Sequence, residues 1–179
     1  MGINVKQDPA MIVNANCVEG LNEQVKNEFR ASAQYTAISA YFESEGLPAL
    51  AAHFSLQSAE ERTHALKFVK YLLDAGARPV IQGFSDIRND FLTATDAVSC
   101  ALESELMVTR QINDLVATAV RNNDYMTNTF LQWFVTEQLE EVSSMSQLLQ
   151  IIKHAGSALL LVEDHVRRMG EKASEGGGT

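Results

Sequence analysis

The stretch LAAHFSLQSAEERTHALKFVKY, Leu50–Tyr71, decides how the rest of the chain reads. Taken at alternating steps of four and three it gives Leu50, Phe54, Gln57, Glu61, His64, Phe68 and Tyr71, the inward stripe of a helix packed in a bundle. The ends of that stripe are apolar, but an amide, a carboxylate and an imidazole fill its middle. Glu61 and His64 stand one turn apart, so a helix presents an oxygen and a nitrogen ligand on one face. A single Glu-x-x-His is common on solvated helices, so its meaning depends on what the other segments carry.

They repeat the pattern. Upstream, from about Asn16 to Ser44, the same spacing picks out Leu21, Val25, Glu28, Ser32, Tyr35, Ser39 and Phe42. Gly46 stops that helix, and Pro48 suits the first turn of the next. Downstream, about Thr95 to Asn122 gives Val98, Ala101, Glu105, Val108, Ile112, Leu115 and Ala119. About Asp124 to His154 gives Phe130, Phe134, Gln138, Glu141, Met145, Leu148 and Ile152. Between the second and third helices, from Ala75 to about Asp90, no helical period survives. A connection of that length lets the chain travel the full height of a bundle, so the third helix is predicted to run parallel to the second. A short fifth helix is expected over about Ser157 to Met169, whose Leu159, Leu160, Leu161 and Val162 are more apolar than a solvated appendage needs. The fold class is therefore all-α, one domain over 16–169. A lead-in over 1–15 precedes it, and a glycine-rich tail over 170–179 is expected to be disordered.

Composition narrows the function. A net charge of −9 and no cluster of Lys or Arg argue against a nucleic-acid partner and fit a cation better. No apolar run reaches the about 20 residues that span a bilayer, so no membrane role is expected. Two cysteines, Cys17 and Cys100, form no disulfide framework, which suits a reduced, cytoplasmic setting.

Set side by side, the four stripes are each interrupted by polar residues near mid-helix: Glu28, then Glu61 and His64, then Glu105, then Gln138 and Glu141. Antiparallel neighbours bring mid-helix positions to one level. Two carboxylates 4 Å apart repel by about 4 kcal/mol at an effective dielectric of 20, before the cost of leaving water is counted. Either several are protonated or cations lie among them. Oxygen ligands with one imidazole suit Fe(II), Mn(II) or Zn(II), and the ligand count suits two ions sharing Glu61. The halves are unequal, since Gln138-x-x-Glu141 lacks an imidazole and replaces a carboxylate with an amide, so one ion is held more weakly. A layer that only fixes helix register normally needs one Asn, not acids from four helices. Glu60, Glu137 and Glu140 flank the stripe and could form a looser third cation site, or a solvated face. Tyr35 reads as a hydrogen-bond donor beside the centre, Trp133 as core. His53, His154 and His165 have no partner at ligand spacing.

On these residues the chain resembles the ferritins, and among them the bacterial non-haem ferritins. The match lies in Asn27-Glu28-Phe29 with Tyr35, Glu60-Glu61-Arg62-Thr63-His64, Glu103-Ser104-Glu105, and Trp133-Phe134-Val135-Thr136-Glu137-Gln138-Leu139-Glu140-Glu141. The resemblance implies a ferritin-like four-helix bundle with a long crossover and a short C-terminal helix. It implies a di-iron ferroxidase centre of Glu28, Glu61 and His64 for one iron and Glu61, Glu105 and Gln138 for the other, with Glu141 and Tyr35 beside it. It also implies a third iron site at Glu60, Glu137, Glu140 and Glu141, oxidation of Fe(II) by O2 or H2O2, and a homo-oligomeric 24-subunit cage for ferric mineral. Arg62 stands where bacterioferritins carry their haem-ligating Met, and Gln138-x-x-Glu141 where they carry Glu-x-x-His, so haem is not expected. The intrachain site and the fifth helix differ from the DNA-protecting mini-ferritins. Asn128 and Leu131 hold the places of the acids that line the three-fold channels of animal ferritins, so the resemblance stops short of that entry route. A di-iron oxidoreductase acting on a small organic substrate or peroxide is the alternative; it would want an imidazole in each half and a substrate pocket.

Overall fold

Each helix begins where the sequence supplies partners for its first amide groups. The Asn14 side chain accepts from the N–H of Asn16 and opens helix α1, Ala15–Ser44. Helix α2, Pro48–Asp74, begins on its proline, and Leu47 before it offers no side-chain acceptor. Thr93 caps α3, Ala94–Arg121, and Asp124 caps α4, Tyr125–Ala155. Helix α5, Leu159–Gly176, returns to the start of α2. There the two oxygens of Glu163 accept from the N–H groups of Ala49 and Leu50, each at 2.8 Å, supplying the cap that Leu47 cannot. The turn after α1 relies on Gly46 at φ +73°, a left-handed conformation that other residues rarely adopt. The computed structural model describes residues 11–176, and the side chains as far as Gly170. Among the described residues there is no strand, and no helix is long and apolar enough to cross a membrane.

The core falls into two apolar clusters. One joins Ile38 and Phe42 of α1, Leu50 and Phe54 of α2, Ala97 and Ala101 of α3, and Met145 and Ile152 of α4, with Val162 of α5. The other joins Leu21 and Val25, Phe68 and Leu72, Ile112 and Ala119, and Leu131 and Phe134. The start of α3 thus shares an end with the start of α2 and the finish of α1 and α4, so α2 and α3 run parallel, as the long connection predicts. Residues 75–93 make the crossover along α1. Val80 N–H donates to Asn22 at 2.6 Å, the Arg30 guanidinium to the carbonyl of Asp86 at 3.4 Å, and Gln34 both gives to and takes from the backbone of Arg88. Between the two clusters lies the layer that contains Glu28, Glu61, His64, Glu105, Gln138 and Glu141, all buried.

The chain departs from expectation at its end. Helix α5 does not stop at Met169 but runs through Gly170 to Gly176, so most of the segment expected to be disordered is helical. One interior glycine costs only about 1 kcal/mol relative to alanine, too little to end a helix followed by Glu171, Lys172 and Ala173. Residues 1–10 of the expected lead-in and residues 177–179 lie outside the described residues.

Candidate metal centre

The polar layer assembles as the stripes require. Glu28, Glu61 and His64 each bring one ligand atom within 4.8 Å of the others, and all three are buried. His64 turns Nδ1 toward Glu61 Oε2, 3.4 Å away, and Nε2 toward Glu137 Oε1 at 3.9 Å. Gln24, one turn before Glu28, donates to Glu28 Oε1 at 2.9 Å. Glu28 Oε2 and Glu61 Oε2 have no hydrogen-bond partner although both are shut away from solvent. Unpaired buried carboxylate oxygens are costly in an apolar bundle, and a divalent cation held by this group would relieve both.

The other half is tied up. Tyr35 O–H donates to Glu105 Oε1, and Gln138 Nε2 to Glu105 Oε2 at 3.2 Å. The hydroxyl of Thr109 donates at 2.8 Å to Gln138 Oε1. Glu141 lies at the edge of the layer, 8% exposed. Of the flanking acids, Glu60 and Glu140 are exposed and Glu137 is half-buried, and Gln57 donates to Glu60.

Electrostatics follow from burial and crowding. Burial first, then the neighbouring Glu61 carboxyl, holds Glu28 well above the usual carboxylate range. Glu61 is raised by burial and then by Glu105. Glu105 is raised by burial, against the pull of its Tyr35 and Gln138 donors. Glu141 is pushed up to about 7 by burial and by Glu105. The Tyr35 phenol is raised well above its ordinary value by burial and by Glu105, so it stays a donor. Without a cation, then, the layer holds protons. A divalent ion bound there would take their place and release them.

Three residues at the centre escaped sequence reasoning. Gln24 and Thr109 each stand four residues from a layer carboxylate, Glu28 and Glu105, a spacing that could have found them. Lys67 lies over the Trp133 ring with Nζ 3.0 Å from its centroid. Trp133 itself is a correction: it is 41% exposed rather than core, because its position on α4 faces the rim of the α2–α4 seam, where it packs edge-on to His64. Two cavities, of about 390 and 430 Å3, open on the molecule. The first lies between α1, the crossover and α3, and the second between α2 and α4. Neither is lined by a residue of the polar layer.

Comparison with known proteins agrees with this geometry. The ferritin-like domain family matches residues 18–155. Ferritin BfrB of Mycolicibacterium smegmatis is 43% identical over 148 residues, 83% of this chain and 82% of that protein. The bacterial non-heme ferritin of Staphylococcus aureus is 33% identical over 155 residues, 85% of this chain and 93% of the relative. Among solved structures, the open-pore ferritin of the hyperthermophilic archaeon Archaeoglobus fulgidus superposes with a TM-score of 0.84 at 28% identity, covering 87% of this chain and 97% of that one. With the family matched over residues 18–155 and a relative 43% identical over 83% of its length, the chain belongs to the ferritin family.

Proposed function

We propose that this chain is the subunit of an iron-storage ferritin that oxidises Fe(II) within its own bundle. The observation that carries the reading is the pair of partnerless buried oxygens, Glu28 Oε2 and Glu61 Oε2, beside His64 Nδ1. Iron is the substrate. One Fe(II) is taken by Glu28, Glu61 and His64, and its arrival displaces protons from carboxyls that burial holds protonated. A second Fe(II) shares Glu61 and draws on Glu105 and Gln138, with Glu141 beside it. Each Fe(II) gives up one electron. O2 takes two electrons and two protons to become H2O2, and H2O2 takes two of each to become water. Tyr35 and Gln138 hold the Glu105 carboxylate in place until the second ion arrives. The ferric product is released toward Glu60, Glu137, Glu140 and Glu141, the looser acids at the rim. From there it enters a cage built from copies of the chain, taken as 24 by the family resemblance, in the cytoplasm.

The unequal halves support storage over chemistry on an organic substrate. Only one half has an imidazole, whereas a di-iron oxidoreductase would want one in each. The deciding experiment is aerobic Fe(II) loading followed by particle mass and iron count. A large shell carrying hundreds of ferric ions is the expected product. A small oligomer retaining two tightly held ions per chain would turn the assignment toward an oxidoreductase, and Fe(II) uptake with no oxygen consumption toward a passive metal buffer.

A further inference from the structure

Outside the ligand set, the side chains nearest His64 form a stack with no role in holding metal. Trp133 meets the imidazole edge-on, with ring centroids 5.4 Å apart and planes at 75°. The indole is 41% exposed and makes no hydrogen bond among the described residues, so packing alone would leave it free to swing outward. Lys67, one turn beyond His64 on the same helix, closes over it with its ammonium 3.0 Å from the ring centroid. That ammonium is partly desolvated, which lowers its pKa, while the Glu137 carboxylate opposes the shift. Glu137 in turn faces His64 Nε2 at 3.9 Å. Lys67 therefore stands next to both groups that border the imidazole away from its ligand nitrogen, the indole and the carboxylate.

We propose that Lys67 is a positioning residue of the metal centre: by clamping Trp133 against His64 it fixes the imidazole with Nδ1 toward Glu61 and Nε2 toward Glu137. A metal-bound imidazole depends on such outer partners for its tautomer and orientation. A cation on an indole face is a stronger latch than dispersion alone, and it works best where water is partly excluded. Lys67 is not one of the groups that would hold the metal and acts only through Trp133 and Glu137. The inference rests on the reading of Glu28, Glu61 and His64 as a metal site.

The chain holds one tryptophan, so its fluorescence reports on Trp133 alone. The test uses the full-length protein and Co(II) under anaerobic conditions, comparing K67M, K67R, W133F and the K67M/W133F double variant. Expected for K67M are greater quenching of Trp133 by acrylamide, Co(II) affinity weakened about three- to tenfold, and shifted visible Co(II) bands. K67R should restore all three. W133F should lose as much affinity as K67M, and adding K67M to it should change little, because both act through one contact. Unchanged Co(II) affinity and bands in K67M, equal losses in K67R, or additive losses in the double variant overturn the proposal. Should wild type bind Co(II) normally while K67M matches it, only the clamp fails. Should wild type bind no Co(II) at all, the metal site fails and the clamp with it. A K67Q variant replaces K67M if the latter does not fold.

Discussion

The two halves of the polar layer are equally buried and are in opposite states of hydrogen bonding. In the α1–α2 half, Glu28 and Glu61 each keep a buried oxygen with no partner beside an imidazole. In the α3–α4 half, Glu105 is held by Tyr35 and Gln138, and Gln138 by Thr109, so that both oxygens of Glu105 and both polar atoms of the Gln138 amide have a partner. The lesson is about preparation. A half that is frustrated without a cation gains most from binding one, whereas a half already satisfied must give up hydrogen bonds to do so. Order of filling and ease of release therefore follow from hydrogen bonding as well as from ligand count.

The sharpest way to break the contrast is to remove what both halves share. Glu61→Ala is expected to lower the initial rate of Fe(II) oxidation about a hundredfold or more, because neither ion keeps its common ligand; stopped-flow absorbance reads the rate. His64→Ala leaves the satisfied half intact and should cost less, about ten- to a hundredfold. If the two variants lost equally little, Glu61 would not join the halves.

Making the halves alike should come next in size. Gln138→Glu adds a charge to the second half and is expected to tighten its ion about tenfold in anaerobic titration, while slowing turnover as the product lingers. Weaker binding in that variant would mean that Gln138 serves Glu105 alone.

Acidity offers a third handle. In the metal-free protein Glu28, Glu61, Glu105 and Glu141 all have folded pKa values above their ordinary range. The folded state therefore binds more protons than the unfolded one. The stability this contributes is complete below the ordinary carboxylate pKa and is lost as pH rises through the folded values. For Glu141 the window runs from 4.5 to about 7, on the order of 3 kcal/mol. The metal-free melting temperature should fall between pH 5 and 7.5 by more than surface charge explains, and Zn(II) should restore it at 7.5. A metal-free protein that became more stable across that interval would contradict the buried, protonated layer.

The smallest change probes one hydrogen bond. Tyr35→Phe removes the donor to Glu105 and should slow oxidation only severalfold, with a stability loss of about 1 kcal/mol. Its effect should vanish in a Glu105→Gln background.

Much of this layer was legible because the helical period is strict. Val98, Ala101, Glu105, Val108, Ile112, Leu115 and Ala119 were read as one face and are all buried. Glu28, Glu61, His64, Glu105, Gln138 and Glu141 stood out because they interrupt such faces. The path of the crossover was harder, since residues 75–93 have no period of their own. They are held by side chains of α1, Asn22, Arg30 and Gln34, which lie off the apolar stripe. Trp133 misled because bulk suggests burial, whereas its neighbour Phe134 takes the inward place and leaves the indole at the rim. The tail over 170–179 misled because its glycines lie mostly at its far end, and the single one at 170 costs little within a helix.

The bond from Glu163 to the first amides of α2 has a consequence for how the protein is made. Helix α2 carries Glu61 and His64, yet its opening turn waits for a carboxylate that the ribosome adds more than a hundred residues later. During synthesis the α1–α2 hairpin can collapse on its own apolar stripe, but it stays frayed at that end until α5 emerges and docks. A nascent chain interrupted after α4 would thus expose bare amides beside Leu50, and α5 finishes the α1–α2 hairpin.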